Sequence, residues 1–102
     1  MNLTENQRKH LRGLGHALKP VVMIGNAGLT DSVAAEIDAA LEHHELIKVR
    51  VRVGDRKERD QVMDGVVVRL RAALIQRIGN MALLYRPAEE PKLVLPETGT
   101  QQ

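Results

Sequence analysis

Residues 46 to 53 read LIKVRVRV, and this strict alternation constrains the fold more than any other stretch of the chain. Successive side chains of a strand point to opposite faces. Ile47, Val49, Val51 and Val53 therefore share one side, and Lys48, Arg50 and Arg52 the other. Such a strand belongs to a sheet with one face in a core. Its other face carries a stripe of cations.

The flanking patterns supply partners for that sheet. Thr4 and Gln7 have the spacing of a capping box, and Leu11, Leu14 and Leu18 recur at helical intervals before Pro20, predicting a first helix over roughly 4–18. Gly13 and Gly15 inside it suggest close packing or a bend. PVVMI, residues 20–24, is a continuous apolar run, expected as an interior strand covered on both faces. Thr30 can cap a second helix with Val33, Ile37, Ala40 and Leu41 on one stripe and a solvated acidic face opposite, ending near His43 and His44. Asp55 and Glu58 repeat the capping-box spacing, and Val62, Val66, Leu70 and Ala73 mark a third helix. LIQRI and MALLYR flank Gly79-Asn80, a two-residue hairpin connection.

The resulting order is αβαβαββ. Right-handed crossovers place the second and third helices on the same face of a mixed four-stranded sheet. The first helix is then expected on the opposite face, across the first strand, where Arg8, Lys9 and Arg12 would merge with Lys48, Arg50 and Arg52 into one basic patch. Residues 1–87 make one domain and 88–102 a flexible tail, in a chain expected to be a monomer when free.

Several chemistries are absent. The 102 residues include no cysteine, and the single serine, Ser32, lies where a helix begins rather than in a nucleophile elbow. His43 and His44 point about 100° apart on a helix, so EHHE does not form a one-face metal pair. No catalytic residue, metal ligand or cofactor is assigned, and the chain reads as a non-enzyme. It has no apolar run near the roughly 20 residues that span a bilayer, and its first residues lack the apolar centre of a signal peptide, so the cytoplasm is the expected location.

The stretch Gly25-Asn26-Ala27-Gly28 stands between a strand and a helix N-terminus. That context aligns free backbone N–H groups with the positive end of a helix, which suits a phosphate. Neither a Walker motif nor a dinucleotide fingerprint is present. Two readings remain: a clamp on a nucleic-acid backbone of the kind KH domains use, and a tight turn. With one tyrosine and neither phenylalanine nor tryptophan, the chain cannot build an aromatic stacking platform. RNA would be held through phosphates, 2′-hydroxyls and shape, with lysines and arginines of the first helix and second strand as the phosphate contacts.

Taken together, LKPVVMIGNAGLTDSVAAEIDAALEHHELIKVRV and the downstream IG and LYRP closely resemble the CRM domain, the chloroplast RNA splicing and ribosome maturation module, in its stand-alone bacterial YhbY-type form. The resemblance runs from Leu3 to Pro87. It implies a fold akin to the C-terminal domain of translation initiation factor three, RNA binding through a KH-like loop, and association with precursor rRNA of the large ribosomal subunit. Carried over by position, the loop is Gly25, Asn26, Ala27 and Gly28, and the basic surface is Arg8, Lys9, Arg12 and Lys19 with Lys48, Arg50 and Arg52. Two departures stand out: Ala72 occupies a place near the end of the third helix where glycine is common, and the loop lacks a basic residue. Two other functions fit the same charges, a DNA-binding accessory protein and an adaptor acting through the acidic second helix. No helix-turn-helix pattern supports the former.

Overall fold

The computed structural model describes residues 2–96. Its elements are α1 (Glu5–Gly15), β1 (Pro20–Ile24), α2 (Asp31–His44), β2 (Leu46–Val51), α3 (Arg56–Leu70), β3 (Ala73–Ile78) and β4 (Met81–Tyr85). The expected αβαβαββ order and mixed four-stranded sheet are both present, with spatial order β1-β2-β4-β3. β1 runs parallel to β2, and β4 runs antiparallel to both β2 and β3.

The helix starts are fixed by side chains meeting orphan amides. Thr4 and Gln7 form a complete capping box, as do Asp55 and Glu58, and the Thr30 hydroxyl accepts from the Val33 N–H. α2 ends at His44 as expected, but the ends of α1 and α3 depart from the expectation. α1 stops at Gly15, three residues early, and the Leu18 N–H closes a turn onto the Gly15 carbonyl. α3 ends at Leu70 because Arg71 takes a left-handed conformation at φ 56°, so Ala73 opens β3 instead of continuing the helix.

Two cores sandwich the sheet. On one face Ile37 and Leu41 of α2 and Met63 and Val66 of α3 close over Val22, Ile24, Ile47, Val49 and Val51. On the other, Leu11 of α1 meets Leu46, Ile75, Leu83 and Tyr85. A Cβ on Gly15 would come within 2.6 Å of the Leu83 side chain, so the glycine lets the end of α1 settle on β4.

This seating corrects two expectations. α1 lies over β2, β3 and β4 and not across β1. β1 is accordingly an edge strand rather than an interior one, with Val22 and Ile24 buried while Val21 and Met23 stand 48% and 56% exposed. Its apolar run is covered on one side only.

Residues 88–96, expected as part of a tail, add neither helix nor strand but are fastened to the fold; residues 97–102 of that tail lie outside the described residues. The fastener is Glu45, at φ 65° just past α2 and only 3% exposed, not on a solvated acidic face. Its carboxylate accepts from the backbone N–H groups of Ala88, Lys92 and Leu93 at 2.9, 2.9 and 2.7 Å, while its carbonyl accepts from Arg86 N–H. Leu93 and Leu95 then pack onto the α1 core, and the Gln7 amide donates to the Pro96 carbonyl.

Burial works to raise the Glu45 pKa, but the three N–H donors and the charge of Lys92 outweigh it and hold the carboxyl below its ordinary value. The stability that this group supplies is complete above its unfolded-state pKa, about 4.3 for glutamate, and is lost as the pH falls through the lower native value. Glu45→Gln should cost about 1–3 kcal/mol at neutral pH. Thermal melts between pH 7 and pH 3 should show a smaller acid-induced drop in the variant than in the parent.

Candidate nucleic-acid interface

The parallel pairing of β1 and β2 brings their C-terminal ends to one edge of the sheet, where β3 ends and β4 begins. The loops at 25–30, 52–55 and 79–80 therefore share a rim. Backbone bonds tie them: Arg52 N–H donates to the Ile24 carbonyl at 2.8 Å and Val51 N–H to the Asn80 carbonyl at 2.7 Å.

At this rim the glycine loop is a closed turn, with Gly28 N–H donating to the Gly25 carbonyl at 2.9 Å. The N–H groups of Asn26 and Ala27 have no backbone partner among the described residues, and both residues are exposed. The two glycines differ in kind. Gly28 sits at φ 77°, a conformation that disfavours other residues, whereas Gly25 is outside that region and a Cβ there would meet nothing within 4 Å. The turn alone therefore requires Gly28 and not Gly25. Behind the loop a groove of 320 Å³ opens toward α3, lined by Asn26, Gly28, Leu29, Gln61, Val62 and Gly65 among others. Asp31, in the first turn of α2, lies close in sequence to this loop, and its charge is met by Arg69 at 2.8 Å.

The expected cations are distributed unevenly. Arg52 is exposed on the rim beside the loop. Lys48 and Arg50 face the α1 side of the sheet, opposite Leu83 and Met81 of β4, and exposed Lys19 directly precedes Pro20, which stands opposite Lys48. The α1 cations are not continuous with β1, because the helix sits elsewhere. Arg8 donates to the Leu74 carbonyl at 3.1 Å and Arg12 pairs with Glu5 at 2.8 Å, while Lys9 is exposed. The single patch expected from merging two stripes is thus divided.

A second cationic cluster at the rim went unassigned in the sequence. Arg56 and Arg59 of α3 and Arg77 of β3 surround a 260 Å³ recess beside Gly79, with Asp60 pairing Arg77 at 3.2 Å. The Arg59 Nε is buried and has no partner among the described residues. A signal for it existed in DRKERD: Arg56, Lys57 and Arg59 occupy the first turn of a helix, where the macrodipole disfavours positive charge.

Among the described residues no group of three or more His, Asp or Glu side chains could hold a metal ion. The only aromatic residue, Tyr85, is buried in the α1 core and unavailable for stacking. Burial, followed by the neighbouring Glu45 charge, raises its pKa.

The family model for the CRS1 / YhbY (CRM) domain matches residues 3–86. A Haemophilus influenzae protein named as an RNA-binding protein is 49% identical over 94 residues, covering 92% of this chain and 95% of the relative. A Pseudomonas aeruginosa relative is 43% identical over 91 residues, covering 89% and 88%. The solution structure of a hypothetical Staphylococcus aureus protein, described as a candidate RNA binder, superposes with a TM-score of 0.80 at 34% identity over 93% of this chain and all of that one.

The contrast between the glycines is measurable. Gly28→Ala should lower stability by about 1–2 kcal/mol, the cost of a left-handed backbone at a residue with a Cβ, and Gly25→Ala should leave the denaturation midpoint unchanged. Any RNA affinity lost by folded Gly25→Ala then reports on the loop's contacts and not on its conformation.

Proposed function

This chain belongs to the CRS1 / YhbY (CRM) domain family, and we propose that it is a non-enzymatic, cytoplasmic RNA-binding protein that assists assembly of the large ribosomal subunit by holding precursor rRNA. The observation that carries the RNA reading is the rim. Two backbone N–H groups with no backbone partner among the described residues, at Asn26 and Ala27, stand next to Arg52, and no strand of the sheet contains an acidic residue. Donors of this kind hydrogen-bond to a phosphate oxygen without reading a base. Arg52 and the Arg56–Arg59–Arg77 cluster extend the contact along the backbone, and Lys48, Arg50 and Lys19 continue it around the sheet, with the free protein a monomer. The resemblance to ribosome-maturation modules directs the proposal toward precursor rRNA.

The adaptor reading draws little from α2. Asp31 is paired with Arg69 and Asp38 and Glu42 with Arg86 at the surface, and Glu45, just past the helix, is buried. A basic partner would meet Glu36 directly and would compete with Arg69 and Arg86 for the other carboxylates.

Crosslinking in cells followed by sequencing should recover precursor rRNA of the large subunit; messenger RNA without precursor rRNA would remove the ribosome assignment. In vitro, Asn26→Asp with Ala27→Asp should reduce RNA affinity by about tenfold or more through lost phosphate contacts and added repulsion. Ala35→Asp with Ala39→Asp, which makes the same charge change on exposed α2 positions, should have a much smaller effect. Equal affinities for the two folded double variants would leave the loop as a turn only.

A further inference from the structure

The register of the sheet aligns one residue from each strand in a single row: Met23 opposite Arg50, Arg50 opposite Met81, and Met81 opposite Ile78. A second row sets Lys48 opposite Leu83 and Leu83 opposite Gln76. Both lie on the face that α1 covers only in part. Met23 and Ile78 are 56% and 63% exposed, and a 190 Å³ hollow lined by His16, Lys48, Gln76, Ile78, Met81 and Leu83 lies between α1 and the rim. The Arg50 Nε is buried without a partner among the described residues.

We propose that this open face is a base-contacting surface for unpaired RNA. The inference rests on the RNA-binding reading above and extends it from phosphates to bases. Three observations select this occupant. The first row ends at the rim, since Met23 lies two residues before Gly25 and Ile78 immediately precedes Gly79, so a strand gripped at the glycine loop passes directly onto the face. No strand residue is acidic, and Lys48 and Arg50 occupy the centre of the face, which gives it the sign of charge a polyanion requires. Its apolar members are flexible or branched aliphatics around a guanidinium, and both thioether sulfur and a guanidinium plane make favourable contacts with aromatic rings, which every base supplies. A duplex buries its base faces in its own stack and offers such a surface only phosphates, for Lys48 and Arg50. Contact with bases here needs no aromatic side chain, which accounts for how a chain whose only ring of that kind is buried can still hold single strands.

The test uses Met23→Ser with Ile78→Ser in the full chain, two exposed positions whose replacement leaves net charge unchanged. Binding is measured to a mixed-sequence single-stranded oligoribonucleotide and to an RNA duplex, with circular dichroism to verify the fold. The double variant should lose about tenfold in single-strand affinity, the size of effect expected from two partly buried apolar contacts. Its duplex affinity and salt slope should match the parent's, because no phosphate contact has changed. Unchanged single-strand affinity in the folded variant overturns this inference while leaving the RNA-binding reading intact. Failure of the parent to bind either RNA overturns both. A benzophenone side chain in place of Met23, photoactivated in cells, should yield RNA adducts; adducts with protein alone would assign the face to a protein partner instead.

Discussion

A helix with its side chains is about 10–12 Å across, whereas four strands spaced about 4.8 Å apart make a sheet wider than one helix can cover. Everything in this fold follows from having three helices for two such faces. α2 and α3 together close one face and build the larger core. α1, the one helix on the other, shelters Leu46, Ile75, Leu83 and Tyr85 together with Leu93 and Leu95 of the C-terminal segment, and leaves the rim end of that face to solvent. β2 conforms to this imbalance residue by residue. Ile47, Val49 and Val51 serve the complete layer, Leu46 serves the incomplete one, and Lys48 and Arg50 extend where no helix reaches.

Local signals were legible in the sequence because they are written in adjacent residues. The capping hydroxyl and carboxylate at Thr4, Thr30 and Asp55, the alternation of β2 and the Gly79-Asn80 turn all act over a few positions, and all recur in the structure. What was missed depends on partners distant in the chain. The apolar run of β1 suggested cover on both faces, yet cover is decided by where Leu11 finds its pocket, over 30 residues upstream of Leu46. Arg71 ends α3 in a conformation that glycine would have announced and arginine conceals. Of the candidate site, the loop and Arg52 were read directly. The Arg56–Arg59–Arg77 recess needed the tertiary proximity of α3 and β3, and the division of the basic patch followed from the seating of α1.

The net charge of +2 conceals how unevenly charge is used. Arg86, with its side chain 18% exposed, donates to Asp38 and to the Leu70 carbonyl, joining the middle of α2 to the end of α3 just after β4. Arg69 and Asp31 repeat that connection across the same helices. These pairs cancel within the molecule, and at the rim Asp55, Glu58 and Asp60 stand among the arginines, whereas Lys48 and Arg50 on the open face lie on strands that contain no acidic residue. A modest total therefore coexists with a local concentration of cations on that face, and local charge is what an approaching polyanion meets.

The grip of Glu45 on residues 88–93 recognises amide hydrogens, which every residue but proline presents alike. At Ala88 and Lys92 the binding information therefore resides in the body of the domain, whereas Leu93 and Leu95 add their own apolar contacts with the α1 core. The side chains at 88 and 92 can change without releasing the segment, provided that proline stays away from the donor positions. A segment anchored in this manner is held by the direction of its backbone at one point and by its apolar side chains at the next, so the two halves of its sequence answer to different constraints.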